Sequence, residues 1–182
     1  MDQALVERAT RGDRDAYEAL ARASVDRLYA IAYEITRDPD RADDAVQQAL
    51  VAMWRDLPSL RDPSRFEGWT YRLVSNASLQ ELRRRRRANV VALSPELVAR
   101  QGDFVARAAA RDELDRALAM LSPDHRAVLV LRHLAGLSID ELAEVLGIPR
   151  GTVASRLHHA TRTMRAAIEA GDRQAIAGGA AR

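Results

Sequence analysis

The chain has 182 residues, 47% of them apolar and only 4% aromatic, with 28 basic side chains, all arginine, against 26 acidic ones. That length allows one domain or two small ones, and the apolar share is too high for a disordered chain, so aliphatic residues and alanine must build the core. There is no cysteine, which excludes disulfides, thiolate metal sites and cysteine nucleophiles, and a net charge of +2 selects no partner by itself.

Helical periodicity dominates from the start of the chain. Leu5, Ala9, Ala16 and Leu20 mark an early helical region interrupted at Gly12 and Asp13, and Val25, Leu28, Tyr29 and Ala32 continue it to Ile35. Asp38 and Pro39 stop that run. The spacing predicts a third helix over about 41–57 and a fourth over about 66–87, separated by a loop from Pro58 to Ser64. Between Ala88 and Gly102 the periodicity weakens around Asn89 and Pro95, which reads as an interdomain linker with a short helix near Pro95–Arg100. Helix resumes near Val105 and runs to Leu121. Ser122 and Pro123 are an N-cap and a first-turn proline, opening a helix that Gly136 ends. Ser138 with Glu141 is a capping box for the next helix, which Gly147 terminates. The last helix opens at Pro149 or Arg150 and runs to about Ala170. No strand signal is present. The predicted fold is all-α: two small helical domains over 1–87 and 106–171, a flexible linker over 88–105, and a disordered tail over 172–182.

No apolar run approaches the roughly 18–20 residues of a membrane span. The longest, Ala127 to Leu137, is broken by Arg132 and His133. The opening Met1, Asp2, Gln3 lacks the basic start and apolar core of a signal peptide, so a soluble, cytoplasmic protein is expected. Catalysis finds no support. The four histidines, His125, His133, His158 and His159, lack metal-ligand spacing with carboxylates. Neither a phosphate-binding glycine loop nor a nucleophile elbow occurs. No catalytic residue, metal site or cofactor is expected.

Three segments carry binding chemistry. Ser138 to His159 reads helix, short turn, helix, with Gly147 where positive φ is needed and Ala143 where crossing helices touch. From Arg150 to Ile168 there is no acidic residue, whereas the preceding helix carries Asp140, Glu141 and Glu144. Positive charge is thus concentrated on the helix that a helix-turn-helix lays in the major groove. With Val153 and Leu157 inward, Ala154, Ser155, His158, His159 and Arg162 are candidates for base and phosphate contact. The second segment ends in five arginines, Arg83 to Arg87. Alone these suit a solvated helix end as well as a polyanion site. Upstream, Trp69, Tyr71, Arg72 and Asn76 add stacking and hydrogen-bonding groups, a combination that suits single-stranded bases, although a lone tryptophan is more often core. The third, Asp38 to Asp56, is acidic and carries Gln47 and Gln48. It suits a basic protein partner as well as plain solvent.

Together these segments resemble a bacterial RNA polymerase sigma factor of the extracytoplasmic-function group, within the sigma-70 family. DPDRADDAVQQALVAMWRDL is similar to that family's core-binding helix, FEGWTYRLVSNASLQELRRRRR to its minus-ten helix, and LSPDHRAVLVLRHLAGLSIDELAEVLGIPRGTVASRLHHA to its minus-thirty-five domain. The resemblance implies that Asp43, Asp44, Gln47, Gln48 and Leu50 meet core RNA polymerase at its beta-prime clamp helices, with the beta flap a further partner. It implies that the loop Pro58–Arg65 with Asn76 and Gln80 holds a flipped base. Arg65, Trp69, Arg72, Arg83, Arg84, Arg86 and Arg87 would line the minus-ten site. Arg150, Thr152, Ala154, Ser155, Arg156, His158, His159 and Arg162 would meet the minus-thirty-five element. The partners implied are core polymerase, promoter DNA as duplex and melted strand, and an anti-sigma factor. Three positions depart from the pattern: Thr70 for a usual leucine, Gln80 for a common aspartate, Ala154 for a common basic residue. Ala154 can touch a thymine methyl but cannot read guanine. A stand-alone helix-turn-helix regulator accounts equally well for 106–171 but leaves the two N-terminal segments unexplained.

Overall fold

The computed structural model describes residues 2–92 and 107–179. Its helices are α1 (Gln3–Thr10), α2 (Arg14–Thr36), α3 (Pro39–Asp56), α4 (Phe66–Ala92), α5 (Arg107–Ala119), α6 (Pro123–His133), α7 (Ile139–Leu146) and α8 (Arg150–Gly179). Two short 3₁₀ turns, Leu57–Ser59 and Pro63–Arg65, join α3 to α4. No strand occurs among the described residues.

Side-chain caps set most of the helix starts. Asp13 accepts from the amides of Asp15 and Ala16, both at 3.1 Å, and these bonds, the one from Ala16 foremost, hold its carboxyl below the usual range. Asp38 accepts from the Arg41 amide at 3.2 Å, just ahead of Pro39. Ser122 caps α6, and Ser138 with Glu141 forms the full capping box on α7. Gly147 closes α7 at φ 64°, in the left-handed region where a Cβ is costly. Arg37 closes α2 at φ 57° without being glycine. Its guanidinium is tied to Glu34 at 2.5 Å and to Asp115 of α5 at 2.6 Å, which offsets the backbone cost of roughly 1 kcal/mol.

Two helices outrun their expected ends. α4 reaches Ala92 rather than Arg87, because no breaker precedes Pro95. α8 reaches Gly179, well past Ala170. Gly171 does not stop it: the helix continues through this glycine beside the Glu113 side chain of α5. The expected short helix near Pro95–Arg100 lies outside the described residues.

The N-terminal unit packs α2, α3 and α4 about a core of Leu28, Ile31, Ile35, Val46 and Val74. Beneath it Val6, Leu20, Met53, Leu57 and Phe66 pin α1 and the 3₁₀ turns. The C-terminal unit closes α5 on α8 through Leu118, Leu121, Ala160 and Met164. The two units meet directly. α6 lies on α2, α7 lies on α4, and Val130, Leu131, Leu142, Val145 and Val153 join the first core without a break. Arg126 is buried at that seam, donating to the carbonyls of Ile35 and Leu121 at 3.0 Å each. Burial first, then Arg37, pushes this guanidinium down to about 10, so it remains a cation at neutral pH. It sits at the carboxyl ends of α2 and α5, where positive charge is favoured. Arg27 donates to the Leu134 carbonyl at 3.0 Å, and Arg65 pairs with Glu144 at 2.7 Å.

Candidate nucleic-acid and protein interfaces

Trp69, Arg72, Asn76, Gln80, Arg83 and Arg87 recur along α4 every three or four residues. At about 3.6 residues per turn they form one stripe, with Arg65 just ahead of it and Arg84 and Arg86 to either side. All of these are exposed except Trp69, which is half-buried against Phe66 with ring centroids 6.2 Å apart. The opposite face is core: Val74 is fully buried and Ser78 donates to its carbonyl at 2.8 Å. The stripe is therefore cationic and amide-bearing, with one indole fixed from below. Arg84 is drawn to Glu81 at 3.1 Å, which leaves Arg72, Arg83 and Arg87 as its exposed cationic line.

Tyr71 does not join that surface. It is buried toward α2 under the Arg27 guanidinium, 5.7 Å from its ring centroid, and burial raises its phenol. Its position two residues from Trp69 already puts it on another side of the helix, and packing settles which side is inward.

On α3, Asp43, Asp44 and Gln47 are exposed. Gln48 turns toward α4 and donates to Glu81 at 2.6 Å, and Leu50 packs between the two N-terminal cores while its carbonyl accepts the Tyr17 hydroxyl at 2.9 Å. Val51 and Trp54 are apolar residues of α3 that do not face the core. They are 61% and 49% exposed, and Trp54 is held edge-on by Tyr17 at 4.6 Å. With Asp44 and Gln47 they make a continuous acidic-to-apolar stripe, and a shallow groove runs along it beside Arg55. The signal available in the sequence was their spacing, four and seven residues beyond Gln47, along the polar side of an amphipathic helix. An exposed tryptophan fixed by a neighbouring ring is the kind of anchor that dominates protein–protein contacts.

α7 and α8 form the helix-turn-helix. Val153 is fully buried and Leu157 packs behind it, so Ala154, Ser155, His158, His159 and Arg162 lie on the exposed side. Thr152 is half-buried in the first turn, its carbonyl taken by the Ser155 hydroxyl at 3.0 Å. Arg150 pairs with Asp140 at 2.8 Å, and Arg156 leans on Asp124 of α6 at 3.5 Å, half-buried. These two arginines are oriented from outside α8. His125, in the first turn of α6, is also brought to this surface: its ring lies 6.0 Å from that of His159 at an interplanar angle of 24°, and His159 meets His158 at 5.8 Å. Thirty-four residues separate His125 from His159, so no local pattern could have joined them. Among the described residues no group of three metal-binding side chains occurs, and no helix is long and apolar enough to cross a membrane.

Sigma-70 region 2 matches residues 20–88, and sigma-70 region 4 matches residues 111–164. The chain is 31% identical to the RNA polymerase sigma-H factor of Pseudomonas aeruginosa, over 92% of this chain and 94% of that one. It is 34% identical to the ECF RNA polymerase sigma factor SigL of Mycobacterium tuberculosis, over 87% and 94%. SigE of Mycolicibacterium smegmatis, also an ECF RNA polymerase sigma factor, is 31% identical, and there the match spans 82% of this chain and 60% of the relative's length. Among solved structures, CnrH in complex with the cytosolic domain of CnrY aligns over 93% of this chain and 97% of its own, at 28% identity and a TM-score of 0.66. The sigma factor RpoE in complex with the anti-sigma factor NepR from Bartonella quintana shares the fold, with a TM-score of 0.68 at 24% identity over 84% and 96%.

Proposed function

The chain belongs to the extracytoplasmic-function RNA polymerase sigma factors of the sigma-70 family, and from that premise we propose how its own surfaces divide the work. Sigma factors bind core RNA polymerase and promoter DNA, and this one has a separate surface for each. The α3 stripe of Asp44, Gln47, Val51 and Trp54 docks on core polymerase, with Asp43 and Gln48 at its border. Leu50 supports it from inside. The α4 stripe takes the minus-ten element. Asn76 and Gln80 supply amide groups for a base edge, Trp69 offers a ring edge, and Arg72, Arg83 and Arg87 follow the phosphates. The exposed face of α8 takes the minus-thirty-five element in the major groove.

The observation that carries this reading is the coexistence, in one chain, of three chemically different exposed faces on three helices whose other sides are core. A stand-alone duplex regulator has use for only the third. The chemistry of transcription stays with polymerase, in the cytoplasm. This protein contributes position: two weak DNA contacts on one chain raise each other's effective concentration. Unstacking melted bases costs a few kcal/mol, which base capture and cationic contacts offset.

The closed packing has a consequence for this mechanism. Elements named for positions ten and thirty-five lie about 25 base pairs apart, about 85 Å at 3.4 Å per step. A compact chain of 182 residues has a radius of gyration of about 16 Å. With α7 seated on α4, the two DNA surfaces cannot reach both elements at once, so productive binding requires the seam at Arg126 to open. An anti-sigma factor that holds the units together would keep the protein silent. Support for such a partner is the fold shared with RpoE in its complex with NepR.

The test is reconstitution. Purified protein is mixed with sigma-free core polymerase and genomic DNA of its host, and run-off transcripts are sequenced. Discrete start sites that vanish without the protein, preceded by two shared motifs, are the expected result. No core binding, with tight operator binding by the protein alone, would sink the reading.

A further inference from the structure

We infer that His125 is an additional DNA-contacting residue and that, with His158 and His159, it makes recognition of the upstream duplex proton-linked. This rests on the reading of α8 as the duplex-binding helix. Nothing in the local sequence of α6 gives His125 that role; the packing of α6 against α8 does. Ser122 fixes the first turn of α6 by accepting the His125 amide at 3.3 Å, and the imidazole then faces that of His159 nearly parallel at 6.0 Å. His158 stands edge-on to His159 at 5.8 Å. The outer two rings thus flank a third, on the surface where Ala154, Ser155 and Arg162 are also exposed.

The charges around the three rings leave them short of negative partners. On α6 the neighbouring carboxylate is Asp124, already engaged by Arg156 of α8 at 3.5 Å. The next residue, Arg126, is buried and turned to the carbonyls of Ile35 and Leu121. On α8, Arg162 lies one turn beyond His158 and His159, and no acidic residue occurs from Arg150 to Ile168. On α5, Glu113 and Arg116 line a groove with Arg162, and at the head of α8 Asp140 is paired with Arg150. Protonated, the His159 ring would meet a like charge about 6 Å away on either side, from His125 and from His158, and these repel. A DNA phosphate laid over them supplies the missing counter-charge, and each protonated ring becomes a donor to phosphate or to an acceptor on a base edge. The sign follows: if the bound state holds more protons than the free state, affinity is greatest at low pH and is lost as pH rises through the imidazole range.

The experiment uses the full chain assembled with core polymerase and the strongest promoter fragment recovered from the run-off mapping. Affinity is measured from pH about 5.5 to 8.5 at fixed salt, and each variant is read against wild type so that the pH response of polymerase cancels. Wild type should lose about tenfold in affinity per pH unit near neutrality for each proton linked. His125→Asn should lower that slope and weaken binding several-fold at low pH, with little change at high pH. His125→Arg, which fixes the charge, should restore tight binding at high pH and flatten the profile, a result that a purely structural role for the ring cannot give. Arg162→Ala should weaken binding by a similar factor at every pH. An unchanged slope in both His125 variants overturns the inference and leaves the sigma reading standing. A flat wild-type profile with firm promoter binding does the same. Failure to recover any promoter removes the reading beneath it as well.

Discussion

The N-terminal and C-terminal units reach their binding surfaces by different routes. In the C-terminal unit, local chemistry decides almost everything. Ser122 and Ser138 with Glu141 fix where the short helices α6 and α7 begin, Gly147 at φ 64° ends α7, and the turn it makes sets α8 off with Val153 inward and Ser155 outward. In the N-terminal unit the helices are long, and tertiary packing selects the face. Two aromatics only two residues apart on α4 separate, Tyr71 buried under Arg27 and Trp69 half-exposed beside the arginine stripe. On α3, Leu50 goes in and Trp54 stays out. Caps and a turn glycine thus mark a helix-turn-helix in the local sequence, whereas a long amphipathic helix shows its working face only once its neighbours are known.

The strongest test of that contrast is a cavity in each unit. Phe66→Ala should cost about 4 kcal/mol, because Phe66 is almost fully buried and joins α1, the 3₁₀ turns and α4. Leu142→Ala should cost about 3 kcal/mol. Both are read by thermal and denaturant unfolding. Because Leu142 belongs to the core shared across the seam, its loss should also lower the stability of the N-terminal helices. Two independent transitions in the variant would show that the units are not coupled. The seam itself is sharpened by Arg126→Met, which removes two charge-assisted bonds but keeps most of the apolar stem. A loss of about 2 kcal/mol is expected, with a larger radius of gyration in small-angle scattering as the units part. An unchanged radius would mean that the apolar contacts hold the closed form alone.

The degree to which the sequence was legible follows the same division. The helix starts at Ser122 and Ser138, and the positive-φ turn at Gly147, could be read from residue types, because capping bonds span two or three residues, whereas the caps at Asp13 and Asp38 read only as interruptions. The α4 stripe was also legible, since its arginines and amides recur at helical spacing. Three features were not. The end of α8 was set at about Ala170, but the helix runs on to Gly179, past where the glycine- and alanine-rich composition gives any apolar periodicity to follow. The Arg126 seam joins Ile35 to a residue 91 positions away, and nothing in either stretch announces it. Trp54 stands among the other apolar residues of the third helix, and only the packing of α3 shows it outside. That point has its own test. Trp54→Ala should weaken core polymerase binding about tenfold, as expected for an anchor residue, while the melting temperature moves little. Asp44→Arg with Gln47→Ala should weaken it further with the helical content intact. Unchanged affinity in both would remove α3 from the polymerase interface.

The smallest effect isolates one local device. In the α7 capping box, Glu141 accepts the Ser138 amide at 2.7 Å while its own amide donates to the Ser138 hydroxyl at 3.2 Å. The bond from the Ser138 amide, first among several contacts, holds the Glu141 carboxyl below its ordinary range. A carboxylate depressed in the folded state contributes stability that is present above the unfolded carboxylate range and lost as pH falls through the folded one. Ser138→Ala should therefore cost about 1 kcal/mol at neutral pH, and Glu141→Gln less. The Glu141→Gln penalty should shrink on acidification, as protonation of the wild-type carboxylate weakens its bond from the Ser138 amide. Because α7 starts the helix-turn-helix, the same variant should loosen DNA binding only slightly. A large loss of promoter affinity from Ser138→Ala would mean that the cap does more than begin the helix, and that the C-terminal surface depends on distant packing as much as the N-terminal one does.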